Sequence, residues 1–83
     1  MYAVHMDTHN QLVILRPPTR EHPALSVDRA HLSEVLGGAV PVIDYAEDVR
    51  GRLVFPVSPE GSRLAACLAA QLTLCAAGLW PTT

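Results

Sequence analysis

The stretch GRLVFPVSPEGSRLAACLAAQLTLCAAGLWP, residues 51–81, decides the fold, because it runs a short apolar strand pattern into the longest helical pattern of the chain. Ser58, Pro59 and Glu60 mark the helix start. The hydroxyl can accept a backbone N–H, the proline stands where its missing N–H costs nothing, and the acid faces the positive end of the helix dipole. Apolar periodicity then predicts a helix to about Trp80, with Pro81 as terminator. Leu64, Leu68, Leu72, Cys75 and Leu79 form a large-residue stripe suited to a sheet. Ala66, Ala70, Thr73, Ala77 and Trp80 form a second face of small residues ending in an aromatic. Small side chains let another backbone approach closely, so the first helix or a second chain is expected to cover this face.

Working back from Ser58, residues 52–57 read as a strand with Leu53, Phe55 and Val57 on one face, and Pro56 places that strand at a sheet edge or ends its pairing early. Gly51 supplies a hairpin turn to a preceding strand over residues 39–45, with residues 46–50 as a charged edge. Near the N-terminus Tyr2, Val4 and Met6 alternate with Ala3, His5 and Asp7, the period of a half-buried strand. Thr8, His9 and Asn10 form a turn into a second strand over residues 11–16. PPTREHPAL, residues 17–25, carries three prolines and is a surface connection. Ser26 is the expected cap of a helix of about three turns, with Leu25 as its staple and Asp28 in its first turn. Leu32, Val35 and Leu36 form its apolar stripe, and Gly37 and Gly38 its end. No internal repeat is evident. The expected architecture is a single α+β domain over residues 1–83, β-β-α-β-β-α, an antiparallel sheet with two helices on one face.

Composition narrows the function classes. Eighty-three residues, 49% hydrophobic and 17% charged, support one core and do not fit a disordered chain. Six arginines, no lysine and eight acids give net charge −2, which leaves no basic field for direct nucleic-acid binding. Cys67 and Cys75 are eight residues apart on one predicted helix, about 12 Å at the helical rise and beyond disulfide reach, so both are expected as free, buried thiols. The N-terminal MYAVHMDTHN has no basic start before an apolar run, which points to the cytoplasm. The apolar run of residues 64–80 contains Gln71 and much alanine, and falls short of a membrane span.

Few residues form a pattern that chemistry needs. His5, Asp7 and His9 would share one strand face, a spacing suited to zinc or to a small metal-dependent enzyme, although solvated side chains on a polar face explain it more simply. His31 reads as helix surface beside Asp28. There is no strained serine elbow and no cysteine in an electropositive setting, and Gly37-Gly38 lacks the lysine and spacing of a phosphate loop. Asp44, Glu47 and Asp48 cluster with Arg50 and Arg52 at the second hairpin. Such acids serve as a solvated strand edge or as a contact patch for arginines that normally hold nucleic acid.

In its small size, single-domain organisation, arginine-, alanine- and proline-rich coding bias and lack of catalytic motifs, the chain resembles phage-borne anti-CRISPR proteins. The resemblance covers overall character rather than any stretch of residues. It implies a non-enzymatic inhibitor, without cofactor, that binds a crRNA-guided surveillance complex such as type I. On the residues alone, the partner-binding set is Asp44, Glu47, Asp48, Arg50 and Arg52. The rival expectations are the metal protein on His5, Asp7 and His9 and a dimeric accessory or antitoxin-like protein joined through the last helix. A monomer or a weak homodimer is expected.

Overall fold

A computed structural model describes residues 1–38 and 45–79. Its elements are β1 (Ala3–Met6), β2 (Leu12–Leu15), α1 (Arg29–Val35), β3 (Ala46–Glu47), β4 (Leu53–Phe55) and α2 (Pro59–Ala76). The four strands form one antiparallel sheet in the order β1-β2-β4-β3. The α+β architecture and the order β-β-α-β-β-α are those expected from the sequence. Leu12 and Ile14 of β2, Leu53 and Phe55 of β4, Leu32 of α1, and Ala65, Leu68, Ala69 and Leu72 of α2 form one core with Tyr2 and Val27.

The two hairpins turn in the same way. Asp7 and Asp48 each accept two backbone N–H groups on Oδ1, from His9 and Gln11 in the first turn and from Arg50 and Arg52 in the second, all at 2.9 Å. Asn10 donates its N–H to the Asp7 carbonyl as Gly51 does to the Asp48 carbonyl, and both sit in the left-handed region, at φ 56° and 75°. Each turn therefore ends in a bulge whose extra residue must tolerate positive φ, which asparagine and glycine do. Leu12-Val13-Ile14 follows the first turn as Leu53-Val54-Phe55 follows the second, and Val13 pairs directly with Val54. The sheet is thus two copies of one hairpin joined about a local dyad at that pair. This corrects the expectation of no internal repeat: the repetition lies in backbone roles that only a few side chains record.

Several boundaries move for identifiable reasons. The cap of α1 is Asp28, accepting the His31 N–H at 2.8 Å, rather than Ser26. Residues 26–28 are instead drawn into the sheet: the Val27 N–H donates to the Ile14 carbonyl at 2.7 Å and its carbonyl accepts from Leu53 at 3.1 Å, so Val27 wedges between β2 and β4. Consequently α1 has seven residues, two turns instead of three. The expected strand over residues 39–45 falls largely on 39–44, outside the described residues, and β4 pairs with Ala46–Glu47, part of the expected charged edge. Pro56 does end the pairing of β4 at Phe55, yet β4 is central because its earlier residues have free N–H groups for Val27 and β3.

The last helix stops earlier than expected. Gly78 at φ 72° donates to the Cys75 carbonyl and Leu79 to the Leu74 carbonyl, closing α2 after Ala76 by a glycine cap rather than at Pro81. Trp80 and Pro81 lie outside the described residues. Its buried face is Gly61, Ala65, Leu68, Ala69 and Leu72, so the helix is turned from the leucine stripe toward its alanines, with Leu64 and Cys75 on the flank. The reason is the close seat at Gly61, where a Cβ would stand 1.9 Å from the Pro56 carbonyl oxygen. Leu79 is exposed, and so is Cys67, contrary to a buried thiol, because residue 67 lies opposite Ala65, Leu68 and Ala69 on the helical wheel.

Candidate interaction surfaces

The first candidate surface lies where the two turns meet. Arg52 donates from Nε to Asp48 Oδ2 at 2.5 Å and from Nη2 to Asp7 Oδ2 at 3.1 Å, tying the second hairpin to the first. Asp7 and Asp48 side chains are only 9% and 14% exposed, so both carboxylates are spent on turn N–H groups and one guanidinium. The N–H donors of Gln11 and His9 and the Arg52 side chain hold the Asp7 carboxyl below its ordinary value, against burial, which raises it. At Asp48 burial is the largest influence and acts upward, but Arg52 and the turn N–H groups together outweigh it and the carboxyl is lowered. The two carboxylates in turn raise the Arg52 guanidinium, Asp48 foremost and Asp7 after it, against burial.

Val13 and Val54 point away from the helices, on the face shared with Asp7 and Arg52 by strand alternation, and they are only 1% and 5% exposed. The turns border a cleft of about 460 Å³ lined by His9, Gln11, Glu47, Asp48, Val49, Arg50 and Arg52. Val49 at the tip is 104% exposed, and Arg50 beside it is exposed. Glu47 pairs with Arg29 at 3.2 Å. Of the residues singled out from the sequence, Asp48 and Arg52 therefore build the turn, Glu47 and Arg50 remain at the surface, and Asp44 lies outside the described residues. Asp7, Glu47 and Asp48 are balanced by Arg29, Arg50 and Arg52, so the described cluster is neutral rather than an acidic patch. The sequence signal that could have revealed this is the shared D-x-x-N/G-x-L-V spacing of the two turns.

The metal alternative meets a different geometry. The strand face does not continue to His9, because Asp7 starts the turn; His9 Nδ1 is 3.8 Å from Asp7 Oδ2, and His5 is exposed on β1. Among the described residues no three His, Cys, Asp or Glu side chains come together as a metal site.

His31 is half-buried rather than surface. The Tyr2 hydroxyl and His31 Nε2 are 2.8 Å apart, with ring centroids at 5.8 Å. Burial, followed by the positive Arg16, lowers the imidazole from its ordinary 6.5, and burial raises the Tyr2 phenol. Residues 2 and 31 are 29 apart in sequence, and no local spacing announces the pair. It anchors α1 to the chain start, and a phenol held toward its neutral form is a poor nucleophile.

The second candidate surface is an apolar groove of about 470 Å³ between β1 and α2, lined by Met1, Tyr2, Val4, Ala66, Ala69, Ala70, Thr73 and Leu74. The exposure of Ala66 and Ala70 shows that α1 leaves the small-residue face of α2 open. Among the described residues no helix is long and apolar enough to cross a membrane. Comparison of the chain with family models, curated proteins and solved structures finds no match.

Proposed function

We propose that the chain is a non-enzymatic interaction domain that occupies a surface of a larger assembly, with the β3–β4 turn as the element that docks. One observation carries this reading: a fully exposed Val49 and an exposed Arg50 stand at the tip of a turn whose aspartate is committed to two backbone N–H groups and to Arg52. A loop held in one shape loses little conformational entropy on binding, and arginine is one of the residues enriched among binding hot spots. Asp48 and Arg52 act as positioning residues, and Glu47 and Arg50 supply charge at the rim. The neutral balance of the cluster favours recognition by shape over imitation of a phosphate chain.

A type I crRNA-guided surveillance complex is the assembly to test first, being the one the resemblance implies. Binding of the purified complex to immobilised protein is expected at nanomolar to micromolar concentration. Val49→Asp and Arg50→Glu should each weaken it more than tenfold, about 1.4 kcal/mol, with unchanged melting temperature. Equal binding by both variants would remove the turn as the docking element. Catalytic turnover of a substrate by trace amounts of the protein would refute the non-enzymatic reading.

A further inference from the structure

Among the described residues β1 ends the sheet, so one row of its backbone groups has no described strand beside it. The Asp7 N–H bonds to the Gln11 carbonyl, which sets the alternation of the antiparallel ladder: Ala3, His5 and Asp7 turn their N–H and C=O toward β2, and Val4 and Met6 turn theirs outward. The Ile14 carbonyl, opposite Val4, likewise points away from β1, where it accepts from Val27. Of the outward groups near the chain start, the Tyr2 N–H is already taken by Thr73 Oγ1 at 3.2 Å. The free edge is therefore the N–H and C=O of Val4 and Met6 and the C=O of Tyr2.

Edges normally carry devices against pairing: shortness, charge, proline or a bulge. The opposite edge has them, since β3 is two residues long, contains Glu47 and is followed closely by Asp48 and Arg50. β1 has none; its sequence is AVHM, every residue is exposed, and the groove beside it is lined by no ionisable side chain but the buried Tyr2. A two-fold contact sets a patch against itself, so it tolerates a patch without charged side chains and penalises one that carries them. The chain also already joins like to like, its two hairpins meeting antiparallel about Val13 and its counterpart Val54.

From these observations we infer that β1 pairs antiparallel with β1 of a second copy of this chain about a dyad at Val4, making one eight-stranded sheet with the two α2 grooves closed against each other. In this register Val4 exchanges both bonds with its own copy, and each Met6 N–H meets a Tyr2 carbonyl, the acceptor left free while Thr73 holds the Tyr2 N–H. Val4 side chains meet on the helix face, and the exposed Ala66 and Ala70 leave room for the copy's helix to approach. A specific interface needs about 500 Å² from each copy, under a tenth of the 5629 Å² surface. This pairing is independent of the β3–β4 turn, which stays at the far edge of each copy.

The test is the mass in solution across micromolar concentrations by sedimentation equilibrium. Twice the monomer mass of 8.9 kDa is expected. Val4→Lys and Val4→Glu should each be folded by circular dichroism and monomeric, and an equimolar mixture of the two should recover the dimer, because position 4 faces its own copy. Ala70→Arg should raise the dimer dissociation constant at least tenfold, and Val49→Asp should leave it unchanged. A wild-type mass of one chain at 100 μM, a mixture that stays monomeric, or an Ala70→Arg dimer of undiminished affinity would each overturn the assignment.

Discussion

Replacing Gly61 with alanine sets local preference against tertiary contact, and the two disagree in sign. Gly61 lies in the first turn of α2 and its φ is not in the left-handed region, so alanine fits the backbone. Helix propensity and the reduced freedom of the unfolded chain both favour alanine, by about 1 kcal/mol. The structure opposes this. The new Cβ would lie 1.9 Å from the Pro56 carbonyl oxygen, 2.9 Å from its carbonyl carbon and 3.0 Å from its Cγ. Pro56 cannot retreat freely, being held between Phe55, which is 1% exposed, and the capping Ser58 two residues on. Relief needs a shift of about 1 Å in β4 or in the start of α2, placing the cost at or above the upper end of the overpacking range, about 3 kcal/mol. Net destabilisation of about 2 kcal/mol, or roughly 8–16 °C in melting temperature for a domain of this size, is expected by thermal circular dichroism at 222 nm. Ser62→Ala, one residue further and exposed, should gain about 0.5 kcal/mol from propensity alone. A Gly61→Ala protein melting at or above wild type would refute the close seat of α2 on Pro56, and with it the rotation that leaves the groove open.

Leu68→Ala and Leu72→Ala, each truncating a fully buried side chain, should cost about 2–5 kcal/mol in urea unfolding, a large share of the total stability of so short a chain. Asp48→Asn keeps an acceptor for the turn N–H groups but removes the charge facing Arg52, and should lower the melting temperature at pH 7. Because the folded Asp7 and Asp48 carboxyls lie below their ordinary 3.8, their stabilisation is complete above that pH and is lost as pH falls through the lowered values; melting temperatures recorded from pH 5 to 2 should fall less steeply for Asp48→Asn. His31 is also lowered, from 6.5, so its share of stability is present above 6.5 and declines as pH falls through its folded value. Tyr2→Phe should cost about 0.5–1.5 kcal/mol at pH 7, read in the same urea titration. In native protein a thiol-specific reagent should label Cys67 before Cys75, in line with their exposed and half-buried positions.

Local sequence determined what local physics controls. Ser58-Pro59-Glu60 specifies a helix start because cap, proline and acid act within one turn, and the alternation around Val4 and Ile14 specifies strands because side-chain direction has a period of two. Together with chain length these were enough for the class and the element order. Contacts between distant segments were decided only in the folded chain. Ser26 reads as the helix cap, but the unpaired carbonyl of Ile14 and N–H of Leu53 draw the next residue, Val27, into the sheet and move the cap to Asp28. The acids of the second turn read as a charged patch, but Arg52 and two backbone N–H groups neutralise the half-buried Asp48, leaving Val49 and Arg50 as the exposed tip. Likewise α2 carries two apolar faces of similar periodicity. The leucine stripe turns inward as its size predicts, Leu68 and Leu72 being fully buried, but the rotation that adds Gly61, Ala65 and Ala69 to the core follows from the close approach of Gly61 to Pro56, a contact between backbones that composition and hydropathy do not encode.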